Sequence, residues 1–131
     1  MINKTKIGLN DRLEFLPNYF GVRCIKFEAL VYGFMGQFCE AYQGGLWDFY
    51  TLDNGGMYIA LDQTETVRIC NPMNYFDDDM SAEAAGIGVT LFALNVLMEA
   101  GNQTQIIDLY YALRDFAVEH DEGGKIMGFI D

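Results

Sequence analysis

Histidine occurs once in this chain, proline twice and cysteine three times, and basic residues are outnumbered by acidic ones, eight to nineteen. Each scarcity removes a class of function. One histidine, His120, cannot be both metal ligand and general base, so zinc-peptidase chemistry of the H-E-x-x-H kind is out. No glycine-rich phosphate loop ending in Lys-Ser/Thr and no nucleophile-elbow serine occurs either. A net charge of −11 opposes any nonspecific grip on nucleic acid, whose backbone demands Lys and Arg, and opposes an anionic membrane surface. Cys24, Cys39 and Cys70 lie far apart without C-x-x-C spacing, and nothing local would activate Cys39 or Cys70 as a nucleophile. Their odd number and the lack of a secretory leader give the expectation of free thiols in a reducing cytoplasm. The longest apolar run, Ala84 to Met98, is interrupted by Gly86, Gly88, Thr90 and Asn95 and reads as too short for a bilayer. A soluble cytoplasmic protein is expected.

What the chain does have is apolar and aromatic bulk. Half of its 131 residues are apolar and 15% are aromatic, enough for one domain with a substantial core. The densest stretch, Tyr42 to Ala60, holds the only tryptophan and two glycine pairs. Asn54-Gly55 predicts a hairpin with a two-residue type I′ turn, in which Leu52 faces Met57 and Tyr50 faces Ile59. Neither face of that hairpin is polar, so helices must cover at least one face and most of the other.

Around it the pattern predicts helices. Residues 1–9 read as a loose N-terminal arm. Asn10 caps a short first helix with Leu13, Leu16 and Phe20 on one face, strained by Pro17 and stopped by Gly21. A second helix runs from about Arg23 to Tyr42, with an apolar stripe through Phe27, Val31, Phe34, Met35, Phe38 and Tyr42. Ala29, Gly33 and Gly36 form a small-residue stripe there, read as a place of close backbone approach. After the hairpin, Thr66 to Cys70 reads as a third strand of a meander, ended by Asn71-Pro72. Met73 to Met80 is a connection with room for a short edge strand. Ser81 caps a third helix to about Ala100 that is apolar almost all round and therefore central. Gly101 ends it and Asn102 caps a fourth, about Gln103 to His120, with Ile106, Leu109, Tyr110, Leu113, Phe116 and Ala117 inward. A last helical turn or two follows Gly123-Gly124. The fold class is α+β: a small antiparallel meander of three or four strands packed with four to five helices in a single domain.

Candidate chemistry is sparse. His120, between Glu119 and Asp121, reads as a helix-end cation rather than a base. Asp77-Asp78-Asp79 lacks the glycine and distal glutamate of a calcium loop. It reads first as acids stabilised at the start of the third helix, together with Ser81 and Glu83, and second as a partner surface. Charge is uneven: from Asn71 onward the chain has eleven acids and two bases, and so carries nine of the eleven net negative charges. Those acids are dispersed among buried positions, whereas a duplex presents a charge every ~1.7 Å of axis. A limited acidic patch fits the pattern better than a full DNA surrogate.

Six blocks carry a resemblance. Tyr32-Gly-Phe-Met-Gly-Gln-Phe-Cys39, Tyr42-x-Gly-Gly-x-Trp-Asp-Phe-Tyr50, Leu52-x-Asn-Gly-Gly-Met-Tyr58, Asn74-Tyr-Phe76, Ser81-Ala-Glu-Ala-Ala-Gly86 and Asp108-Leu-Tyr-Tyr-Ala-Leu-Arg114 resemble, in order, the ArdB/KlcA family of antirestriction proteins. One departure is Leu61, where that family often has proline. The resemblance implies a small cytoplasmic protein of a bacterial mobile element, such as a plasmid or conjugative transposon, that relieves type I restriction without enzymatic activity. It implies no cofactor, no metal, no direct nucleic-acid binding and no membrane. The implied partner is the type I restriction-modification enzyme or an associated host protein, with the chain a monomer or weak dimer. Charge asymmetry places the expected partner contact at Tyr75, Asp77, Asp78 and Asp79, and secondarily at Asp108, Asp115 and Glu119 on the fourth helix. The competing reading is a non-catalytic interaction module of a mobile element with no antirestriction activity.

Overall fold

The computed structural model describes residues 1–101 and 104–131, so the expected cap Asn102 and helix start Gln103 lie outside the described residues. Along the described chain run β1 (Lys4–Lys6), α1 (Arg12–Phe20), α2 (Cys24–Phe38), β2 (Trp47–Leu52) and β3 (Met57–Leu61). There follow β4 (Val67–Asn71), β5 (Phe76–Met80), α3 (Ala82–Glu99), α4 (Thr104–Glu119) and α5 (Gly123–Ile130). The α+β class holds. The meander does not: the strands form a three-stranded sheet, β1-β2-β3, and a separate β4-β5 ribbon.

The hairpin forms where Asn54-Gly55 predicts it, one residue out of the expected register. Tyr50 faces Tyr58 and Thr51 faces Met57. A type I′ turn needs positive φ at both central residues, and here only Gly55 has it, at 92°. The Gly55 N–H instead closes a turn onto the Leu52 carbonyl (3.1 Å), and the Leu52 N–H reaches the Gly56 carbonyl (2.9 Å). The loop is therefore three residues long, with the bulge that such a turn carries. Asn54 has other work: its Oδ1 accepts from the Gly56 N–H (3.0 Å) and its Nδ2 donates to the Ala112 carbonyl of α4 (2.8 Å). Because side chains alternate, the one-residue shift regroups the faces. Trp47, Phe49, Met57, Ile59 and Leu61 share one face, and Asp48, Tyr50, Leu52, Tyr58 and Ala60 share the other.

Helices cover both faces. Phe15 of α1 stacks on Phe49 (5.5 Å between ring centres) and Tyr32 of α2 packs on Trp47 (5.3 Å). On the opposite face Tyr58 stacks between Tyr50 (4.7 Å) and Phe116 of α4 (5.8 Å). All five residues of β3 are buried. The outer edge of β3 is why no third meander strand adds there. Thr90 of α3, fully buried, places its hydroxyl between the Ile59 N–H and the Ile59 carbonyl, 3.3 Å from each. One side chain thus satisfies a strand edge that would otherwise seek another strand. Gly86 permits the approach: a Cβ there would lie 2.6 Å from Ala60 Cα and from the Ile59 carbonyl oxygen. A Cβ on Gly88 would meet the Phe129 ring at 2.5 Å, so the opposite face of the helix, two residues on, seats α5.

Close approach therefore belongs to α3. It does not belong to α2, where Gly33 has nothing within 4 Å of a would-be Cβ. Ala29, Gly33 and Gly36 all face solvent. Of the expected α2 stripe, Phe27, Val31, Met35 and Phe38 are buried and Phe34 is half-buried, while the helix stops at Phe38 and leaves Tyr42 beyond its end. In α1 the buried face is Phe15, Leu16 and Phe20; Leu13 points outward, 91% exposed. Pro17 sits inside α1 without ending it, and Gly21 closes it at φ 57°. Asn10 lies in a 3-10 turn before α1 instead of capping it, and Asp11 precedes the helix without a side-chain cap. Residues 1–9 are not a loose arm: β1 pairs with β2, Thr5 opposite Thr51. α3 has the length and apolarity of a membrane-crossing helix, contrary to the expectation from its interruptions, but is 67% buried among β3, α2, α4 and α5.

Candidate interaction surfaces

The predicted partner residues fall on two surfaces. The first is the β4-β5 ribbon. Asn71 ends β4, and Pro72–Asn74 make one 3-10 turn. Tyr75 then takes left-handed φ of 55°, rare for a bulky residue, to enter β5. Three side-chain bonds hold that bend. Asn71 Oδ1 accepts from the Met73 N–H (3.2 Å), while Asn71 Nδ2 and Asn74 Nδ2 both donate to the Phe129 carbonyl of α5 (2.9 and 2.7 Å). The outcome is a fixed tip that displays Met73 and Tyr75, the latter 98% exposed.

Asp77, Asp78 and Asp79 are strand residues of β5, not acids at a helix start as first read. Their charges are met across the ribbon and from α5. Arg68 Nε bonds Asp77 Oδ1 at 2.8 Å, and its guanidinium lies 3.7 Å from Asp79. Lys125 Nζ lies 3.7 Å from Asp78 and donates to the Asp79 carbonyl (2.6 Å). The Arg68 bond holds the Asp77 carboxyl below its usual range. Asp77 and Asp79 remain exposed.

The second surface is the outer side of α4, where Asp108, Asp115 and Glu119 are all exposed. At a rise of 1.5 Å per residue they stand about 10 and 6 Å apart along the axis. The Glu119 carboxylate accepts from the Ile2 N–H (2.5 Å). The two surfaces are not one patch: α5 packs against both α4 and β5, and Arg114 of α4 binds Asp131 just after α5 (2.8 Å).

A polar cluster that sequence reasoning missed centres on Glu83. Tyr58 donates its hydroxyl to Glu83 Oε1 (2.8 Å), the Lys4 ammonium pairs with the same oxygen, and His120 Nε2 lies 2.8 Å from Oε2. The His120 Nδ1 accepts from the Glu122 N–H (3.0 Å), which requires a lone pair there. The ring proton therefore sits on Nε2 and is donated to Glu83. Both nitrogens are engaged, so the lone histidine is a structural donor rather than a helix-end cation or a free base. His120, Lys4 and Tyr58 hold the Glu83 carboxyl down at about 2 against the cost of burial. Burial, with the Glu83 charge beside it, pushes the Tyr58 phenol up. Ser81 caps α3 by accepting from the Ala84 N–H (3.0 Å), and Glu122 in turn accepts from Ser81's own N–H (2.9 Å) and hydroxyl. The one available signal was Glu83 itself, a lone charge in the first turn of a helix with no polar face.

Among the described residues no group of three His, Cys, Asp or Glu side chains is placed to hold a metal ion. A cavity of about 170 Å³ lies beside Met35, Cys39, Tyr42 and Leu61, and it contains no pair of acid and base groups.

Comparison with known proteins places this fold. A family model described as "Antirestriction protein" matches residues 40–131. The antirestriction protein KlcA of Escherichia coli is 46% identical over 134 residues, spanning 97% of this chain and 92% of the relative. The uncharacterised protein YafX of Escherichia coli K12 is 39% identical, spanning 97% and 86%. A solved structure from work on KlcA and ArdB superposes with a TM-score of 0.90 at 40% identity, covering 99% of this chain and 95% of that one. That work describes a novel fold and antirestriction activity against type I DNA restriction systems in vivo but not in vitro.

Proposed function

The chain belongs to the antirestriction family of KlcA and ArdB, and on that premise we propose that it relieves type I restriction of incoming DNA by contacting protein rather than by imitating a duplex. The observation that carries this reading is the 0.90 superposition, at 40% identity and over nearly the whole of both chains, on a structure described with that activity. The charge geometry supports contact over mimicry. A duplex surrogate needs unpaired carboxylates at phosphate density, one per ~1.7 Å of axis. The α4 acids are several times sparser, and the β5 acids are interleaved with Arg68 and Lys125.

The contact surface in this reading is the ribbon: Tyr75 with Asp77, Asp78 and Asp79, held on the fixed tip by Asn71 and Asn74. The backbone of the tip is already fixed and loses little freedom on binding, the exposed Tyr75 ring is open to a partner, and flanking acids steer a basic, DNA-handling protein. The partner is the restriction enzyme or a host protein associated with it. Activity in vivo but not in vitro, described for the solved relative, fits a requirement for a further cellular component. The place of action in this reading is the cytoplasm.

Phage plating tests the reading. Unmodified phage on a type I restricting host should plate at higher efficiency when this chain is expressed, and at equal efficiency with or without it on a non-restricting host. No gain on the restricting host would leave an interaction module without antirestriction activity. Capture of the assembled restriction enzyme against its separate subunits then identifies the subunit touched.

A further inference from the structure

The strand β1 is an odd occupant of its place. Its three residues Lys4, Thr5 and Lys6 are all exposed, and only the flanking Ile2 and Ile7 are half-buried against the core. Beside those two side chains and the ladder to β2, a line of carboxylates holds it. Asp53 takes both the backbone N–H and the side-chain amide of Asn3 (3.0 and 2.9 Å), and Glu119 takes the Ile2 N–H. Lys4 enters a socket made by the Glu83 carboxylate and the Tyr50 ring, whose centre is 5.6 Å from the ammonium. Lys6 pairs with Asp48, at 3.2 Å. Asp48 is only 6% exposed, and its other cation, Arg12, stands farther away at 3.7 Å. Both sockets belong to the rest of the fold, on β2, β3 and α3, and both face the same side of the sheet.

Lysines on an edge strand ordinarily keep sheets from pairing. Here they are ligands, and their acids are costly to leave without a cation. Three exposed residues of ladder and partly exposed ion pairs put β1 at the low end of local stability. Opening it would uncover the edge of the six-residue β2, a template for strand addition, with the two sockets spaced for lysines two residues apart.

We propose that the β2 edge with its Glu83 and Asp48 sockets is a receptor for an extended Lys-x-Lys segment of a partner protein, and that β1 is its intramolecular placeholder. The groove already holds a peptide of that chemistry, and a chain of net charge −11 complements a basic, DNA-handling protein. This inference rests on the antirestriction reading only for which protein supplies the segment. A tethered strand competes at millimolar effective concentration, so the intact chain binds such a segment weakly until β1 is weakened.

The test uses the full chain and two synthetic peptides: the sequence of residues 2–8, and the same sequence with both lysines replaced by glutamate. Binding is read by Trp47 fluorescence and calorimetry. A Lys4→Ser/Lys6→Ser variant should bind the lysine peptide at least tenfold more tightly than the unmodified chain and should ignore the glutamate peptide. Thr5→Pro, which keeps both lysines and removes one ladder donor, should do the same if the double variant unfolds. Folded variants that bind neither peptide, or both alike, overturn the proposal. So does sedimentation of the unmodified chain as a dimer that the β1 variants dissolve, which would make the occupant a second copy. Plating is separate: failure to relieve restriction removes the antirestriction reading and leaves the peptide result to decide the groove.

Discussion

At the scale of single residues, Glu83 decides most. It ties β1, β3, α3 and the end of α4 together through Lys4, Tyr58 and His120. Its folded carboxyl lies at about 2 against an ordinary 4.5. A depressed acid contributes stability that is fully present above the unfolded value and is lost as pH falls through the folded one. The chain should therefore lose on the order of 2 kcal/mol from this group between pH 5 and pH 2. Glu83→Gln should be less stable at neutral pH and show a flatter acid limb, measured by urea unfolding at stepped pH. An unchanged acid limb would place the acid sensitivity elsewhere. The composition pointed away from this cluster. A lone histidine next to Glu119 and Asp121 looked like an isolated cation, and only the fold brings Glu83 to it from 37 residues away.

At the scale of elements, the contact of α3 with the β3 edge organises the molecule. Thr90→Val keeps the shape and removes the one hydroxyl that satisfies both polar groups of Ile59, leaving a buried edge unpaired. That should cost about 1–3 kcal/mol, read as a lowered unfolding midpoint with little change in slope. Thr90→Ser, which keeps the hydroxyl, should recover much of it. Element positions were legible because periodicity and breakers carry them: the α2 stripe, the hairpin, the Ser81 cap and the termination at Gly21 all stand. Pairing was not legible. Whether β4 adds to β3 depends on what already occupies that edge, and Thr90 inside an apolar helix gives no local sign of reaching a strand. The register slip has a similar origin, because Asn54 bonds to Ala112, 58 residues away, and stays out of the left-handed region a type I′ turn requires. The loose-arm reading of residues 1–9 failed for the same reason: their partners are acids scattered from Asp48 to Glu119.

At the scale of the whole molecule, the net charge of −11 is not spread as a duplex would spread it. Buried or half-buried acids such as Asp48 and Glu83 hold the fold together, while exposed ones are scattered from Asp11 to Asp131, with Asp77 and Asp79 on the β4-β5 ribbon and Asp108, Asp115 and Glu119 on the outer side of α4. The candidate surface was legible as composition, since the acidic half and Tyr75 stand out in the sequence. Its form was not, because a run of three aspartates before a helix looks like a helix start until Arg68 is seen paired across the ribbon. In the reading proposed above, this ribbon, fixed in shape and set with exposed acids, carries relief of type I restriction. The most direct measurement replaces Asp77, Asp78 and Asp79 together by Asn and compares phage plating on a type I restricting host with that of the unmodified chain. These positions are exposed surface ion pairs, which contribute little to stability, so circular dichroism and melting should show a folded protein. The expected result is a folded variant with weakened relief of restriction. A folded variant that relieves restriction as fully as the unmodified chain would contradict it.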